Sequence, residues 1–146
     1  NKEEARKMLD EVVASGKAFE TFKDMVKAQG GNVDMIENPE LLPQSKFKTE
    51  IKSEESGNVK VLHSERLGVL AMQLGAGRET KEQDVNHAVG LELACKRGDK
   101  VNKGDTICIV YHDEELKPQW VDELYHAFEL TNEEVAPQPI IEKVLS

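Results

Sequence analysis

Leu74 to Val110 read LGAGRETKEQDVNHAVGLELACKRGDKVNKGDTICIV, and the fold of the chain turns on this stretch. Val89, Leu91, Leu93 and Cys95 alternate with Gly90, Glu92, Ala94 and Lys96, the period-2 pattern of a strand with one buried face. Ile107, Ile109 and Tyr111 repeat the pattern, and Cys108 and Val110 make the opposite face apolar too. That second strand is therefore expected to be covered on both sides. Between the strands stand Gly98-Asp99 and Gly104-Asp105, two turns that frame a lone apolar residue, Val101.

Working outward, two helical patterns open the chain. Ala5, Met8, Leu9, Val12 and Val13 form one stripe and Phe19, Phe22, Met25 and Val26 another, with breaks at Ser15-Gly16 and Gly30-Gly31. Two helices cannot cover that much apolar surface by themselves. Asn38-Pro39 opens a short turn that Pro43 closes, so a domain boundary is expected near Lys46. Phe47, Thr49 and Ile51 then alternate as a strand, and Asn58 to His63 form another. Ser64 is expected to cap a short helix carrying Leu67, Leu70, Ala71 and Leu74, broken by Gly75 and Gly77. Pro118 starts a further helix with Trp120, Val121, Leu124 and Phe128 inward, and the run from Pro137 reads as a terminal strand.

Charge excludes some functions. The net charge is −9, and residues 113–146 hold 2 basic and 9 acidic side chains, so most of the excess is C-terminal. Such a tail repels phosphate backbones, and nucleic-acid binding is not expected. It reads as solvated surface. No apolar run approaches the roughly 20 residues of a membrane span. Cys95 and Cys108, set among apolar neighbours, read as small core residues in a reducing, cytoplasmic setting.

His63, His87, His112 and His126 show no metal-ligand spacing, and neither a metal nor another cofactor is expected. Glu114-Glu115 and Glu133-Glu134 are adjacent pairs, which point different ways on a helix or strand and cannot cooperate as acid and base. Gly75-Ala76-Gly77-Arg78 is the one candidate anion site, because glycine amides can cradle phosphate and Arg78 adds charge. It lacks the strand–turn–helix order and third glycine of a dinucleotide loop and the Gly-Lys-Ser/Thr of a Walker loop. A helix-ending glycine turn is the favoured reading.

The segments GAGRETKEQDVNHAVG and KRGDKVNKGDTICIVY resemble the C-terminal domain of pyrimidine-nucleoside phosphorylases and their thymidine phosphorylase relatives. The resemblance extends to SGKAFETFKDMVKAQGGN at residues 15–32, to the Asn38–Pro43 connector, and to SGNVKVLHSERLG and LAMQLGAGR; after His112 it loosens. Asn86 departs from it, since the family pattern has Asp there. The resemblance implies an α+β chain. Residues 1–46 would be the closing helices of a large α/β domain plus a connector. Residues 47–146 would be a small mixed lid domain with a barrel-sandwich-like antiparallel sheet.

It further implies phosphorolysis of uridine, thymidine or deoxyuridine by inorganic phosphate in a homodimeric parent. The family's phosphate-binding loop and pyrimidine-holding Arg, Ser and Lys lie upstream and have no counterpart here, so no catalytic residue is assigned. A chain that begins at Asn1 without methionine fits a fragment, inactive alone. Gly75, Gly77 and Arg78 would then face the interdomain cleft as a closure loop. The rival function is a biotinyl or lipoyl carrier, which the Gly-Asp-x-Val-x-x-Gly-Asp pattern resembles. A carrier needs a lysine at a hairpin tip, and here none follows Ile109 until Lys117.

Overall fold

The computed structural model describes residues 1–78, 80–137, 139–141 and 143–144. Contacts divide the chain into two compact units, Asn1–Pro43 and Gln44–Ser146.

The first unit holds α1 (Lys2–Ala14), α2 (Lys17–Ala28), the single turn α3 (Asp34–Glu37) and a 3₁₀ turn at Pro39–Leu41. Asn1 starts α1 with a reciprocal cap: its side chain accepts from the Glu4 amide at 2.9 Å, and Glu4 reaches back to the terminal amine. Gly16, at φ +77°, makes the left-handed turn between α1 and α2. Lys23 holds α2 to α3 through Glu37 at 2.9 Å and also pairs with Glu20. None of these helices has a buried residue, and Met8, Leu9, Val13, Phe19 and Phe22 of the predicted stripes are exposed, with Val26 half-buried.

The second unit is α+β. Its strands are β1 (Phe47–Lys52), β2 (Gly57–Leu62), β3 (Gly90–Leu93), β4 (Lys100–Val101), β5 (Thr106–His112) and β6 (Phe128–Thr131). Two antiparallel three-stranded sheets result, in the orders β1-β5-β3 and β4-β2-β6. The helices α4 (Ser64–Ala71) and α5 (Pro118–His126) complete it. One core joins residues of both sheets and both helices: Ile51, Val59, Leu70, Val110, Leu124 and Phe128 among them.

Both Gly-Asp turns adopt the same form. Gly98 and Gly104 have φ of +94° and +93°. The Asp99 carboxylate accepts from the Lys96 amide at 2.9 Å, and that of Asp105 from the Asn102 amide at 2.8 Å. Val101, between them, is 3% exposed.

Several expectations are corrected. The buried face of β5 is Cys108, Val110 and His112, whereas Ile109 and Tyr111 lie half-exposed on the other. Of the five side chains expected to be covered, Ile107, Cys108 and Val110 are buried. Centrality in the sheet hides the backbone of β5 but leaves the side chains of Ile109 and Tyr111 partly open to solvent. The first predicted strand is shorter than its pattern: β3 is an edge strand, and Leu93 near its end is exposed while Val89 and Cys95 outside it are buried. Ser64 is not the cap of α4; that place falls to His63, which makes no side-chain cap bond. Phe128 does not continue α5. The helix ends two residues earlier, at His126, and Phe128 begins β6, whose pairing with β2 satisfies backbone groups that a longer helix would leave at an end.

From Pro137 onward the described residues form no strand, and Ile140 and Val144 are exposed; Gln138, Glu142 and Leu145 of that predicted strand lie outside the described residues. Among the described residues no helix is long and apolar enough to cross a membrane.

Candidate functional site

The glycine turn forms because α4 loses its regular pitch. The chain widens into a π-type turn over Met72–Ala76, and Gly75 takes φ +106°, ψ 0°. Gly77 is extended, and a Cβ there would come within 3.1 Å of the Met72 side chain. Only glycine allows that approach without moving Met72. The Gly75 carbonyl accepts from the Asn86 amide at 2.9 Å, which closes the loop back on itself. Arg78, just beyond, is exposed, and no ion pair to it is found among the described residues.

Asn86 is the centre of this region. Its Oδ1 accepts from the Ala88 amide at 3.0 Å, and its Nδ2 donates to Asp113 Oδ2 at 2.7 Å. Asp113 follows directly on β5, and its Oδ1 accepts from the Lys46 amide at 2.8 Å. These two bonds, the Lys46 amide first, hold the Asp113 carboxyl below the usual carboxylate range. Beside it His112 is 6% exposed, stacked on Phe47 with ring centroids 5.4 Å apart. Its Nδ1 donates to the Glu114 carbonyl at 2.6 Å, and its Nε2 lies 2.8 Å from Thr49 Oγ1.

The other histidines are not brought there. His63 pairs with Glu129 at 2.7 Å, His87 is exposed, and His126 lines an open groove of about 1130 Å³ between α4 and α5. In that groove Arg66 pairs with Glu123 at 2.8 Å, and Lys117 lies over the Trp120 ring at 4.5 Å. Lys117 thus starts a helix against an aromatic ring, which counts against a carrier lysine on a hairpin tip. Among the described residues no group of three His, Cys, Asp or Glu is placed to hold a metal. Both cysteines are buried; burial raises each thiol, Cys108 to about 12. They are suited to packing and poorly suited to nucleophilic work.

Sequence reasoning singled out Gly75, Gly77 and Arg78; it took Thr49 only as a strand residue and His112 only as one of four scattered histidines, gave Asp113 no role, and noted Asn86 only as a departure. Asn86 and Asp113 stand 27 residues apart. No local pattern announces that meeting.

Residues 58–131 match the family described as "Pyrimidine nucleoside phosphorylase C-terminal domain". The chain belongs to this family. It is 39% identical over 138 residues to the pyrimidine-nucleoside phosphorylase of Bacillus subtilis (strain 168), covering 94% of this chain and 32% of that protein. It is 40% identical over 144 residues to that of Staphylococcus aureus (strain USA300), covering 99% of this chain and 33% of that protein. The chain therefore spans about a third of the length of the curated relatives it matches. Within this phosphorylase C-terminal domain the family match begins in β2 and ends with β6, so it takes in the glycine turn, Asn86 and Asp113.

Proposed function

We propose that the chain is the C-terminal portion of a pyrimidine-nucleoside phosphorylase and supplies the domain that closes over its active site. The match over residues 58–131 carries this reading. In the reaction a phosphate oxygen bonds to the anomeric carbon of uridine, thymidine or deoxyuridine while the bond from that carbon to the base nitrogen breaks. The base leaves with the electron pair and takes up a proton, and the other product is a pentose 1-phosphate. The enzyme is thus a pentosyltransferase, here assigned to the cytoplasm and to a homodimer.

Water competes with phosphate for the electron-poor anomeric carbon, so the site must be closed during transfer. Residues 1–46 would belong to the large domain and its connector, and residues 47–146 would move as the lid. The exposed apolar stripes of α1 and α2 support the first assignment, since they suit helices of a larger core. The two three-stranded sheets around one core support a barrel-sandwich description of the lid. Gly75, Gly77 and Arg78 would face the cleft, where glycine amides and a guanidinium suit an anion.

Uracil release from uridine and phosphate tests this. Deleting residues 47–146 from the intact enzyme should lower kcat/KM by roughly a hundredfold or more. The isolated chain should release no uracil. Activity from the isolated chain, or a truncated enzyme within about twofold of the intact one, sinks the reading. For the loop alone the decisive variant is Arg78→Ala: kcat/KM unchanged within about twofold removes it from closure.

A further inference from the structure

Asp113 spends its two oxygens on two distant parts of the chain. Oδ1 takes the amide of Lys46, one residue before β1, and Oδ2 takes the side-chain amide of Asn86. Asn86 in turn holds the Gly75 carbonyl with its backbone N–H and the Ala88 amide with its Oδ1. The result is an unbroken run of hydrogen bonds from Lys46 through Asp113 and Asn86 to the left-handed glycine of the turn.

The chemistry at each link is restrictive. The side chain at 86 must donate to a carboxylate and accept from an amide at once, which a neutral amide does and an ionised carboxylate cannot. The side chain at 113 must accept twice in different directions, which an ionised carboxylate does. Both bonds to Asp113 are charge-assisted, so they are among the stronger ones in this unit.

We propose that Asn86 and Asp113 are positioning residues for domain closure. They fix the Gly75–Arg78 turn relative to Lys46, where the chain enters this unit, so that movement at the connector is passed to the turn. The proposal rests on the closure reading given above.

A side-chain swap in the intact phosphorylase tests it. Asn86→Asp sets two carboxylates against each other. Asp113→Asn, with its oxygen kept toward the Lys46 amide, sets two NH₂ groups against each other. In the double variant Asp at 86 accepts from both Ala88 and the new Asn at 113, which still accepts from Lys46, so every link returns. Each single variant should lower kcat about tenfold with a smaller change in KM, and the double variant should recover to within about threefold.

Hydrogen exchange of the Lys46 and Ala88 amides is followed in the same four proteins. It should quicken in each single variant and recover in the double. Unchanged exchange in both single variants overturns the relay itself. Altered exchange with equal kcat in all four overturns the positioning role, and closure is then decided separately by Arg78→Ala.

Discussion

His112 and Thr49 meet at 2.8 Å across β5 and β1, two paired strands of the first sheet, and the bond has a direction. Nδ1 of His112 faces the carbonyl oxygen of Glu114, which can only accept, so Nδ1 carries the hydrogen. In the neutral ring Nε2 is then the acceptor and Thr49 the donor.

Thr49→Val keeps the shape of the side chain but removes the hydroxyl hydrogen aimed at that nitrogen. His112 is buried, so its unpaired Nε2 should cost about 1–3 kcal/mol of stability. Thr49→Ser should cost less, because the hydroxyl remains. Urea unfolding of the two variants measures the difference, and equal midpoints would discount the bond.

The glycines of the α4 region separate by backbone. Gly75 sits at φ +106° with no atom nearer than 3.6 Å to an added Cβ, so space is not the obstacle. Gly75→Ala should still destabilise by about 1–2 kcal/mol, from the left-handed backbone. Gly68 lies inside α4 with open space around it, and Gly68→Ala should stabilise by roughly 0.5–1 kcal/mol. Thermal unfolding of the pair should show shifts of opposite sign.

Leu124 is 1% exposed and reaches the common core from α5. Leu124→Ala should cost about 2–5 kcal/mol through lost burial and the void left behind. A loss under about 1 kcal/mol, read by denaturant unfolding, would mean the core collapses around the gap.

The thiol of Cys108 is raised by burial from its ordinary 9.0 to about 12. The unfolded chain therefore releases this proton at lower pH than the folded one. The folded state keeps its full stability below pH 9.0 and loses this part of it as pH rises toward about 12. At pH 8 neither Cys95 nor Cys108 should react with a thiol reagent in the native protein, and both should do so in denaturant. Rapid native labelling of either would contradict the packing.

Asp113 works in the opposite direction. Its bonds to Lys46 and Asn86, with the charges of Lys46 and His112 nearby, hold the folded carboxyl below its ordinary 3.8. The stabilisation is complete above 3.8 and is lost as pH falls through the depressed folded value. The side-chain NH₂ signals of Asn86 should report that loss in an acid titration by NMR. Asp113→Asn should leave them without the transition.

Much of the fold was legible wherever local chemistry decides. A glycine that must turn left-handed, followed by an aspartate that can take the amide three residues back, marks both Gly-Asp turns in the bare sequence. Pro118 at the first turn and apolar residues at helical spacing mark α5, and a continuous apolar run marks β5. The short strands were harder. β4 has two residues and β6 has four, and neither is long enough for a period to stand out. Phe128 satisfies a helical stripe and a strand start equally well, and only its pairing with Leu62 separates them.

By itself the sequence determined the turns, the helix spacing, the apolar strands and the family resemblance, because each depends on residues close together in the chain or on their order. The tertiary structure alone decided which face of β5 is buried, where α5 stops, and that Asp113 joins Lys46 to Asn86. Those outcomes depend on register between strands far apart in sequence. A shift of one residue would turn each side chain to the opposite face.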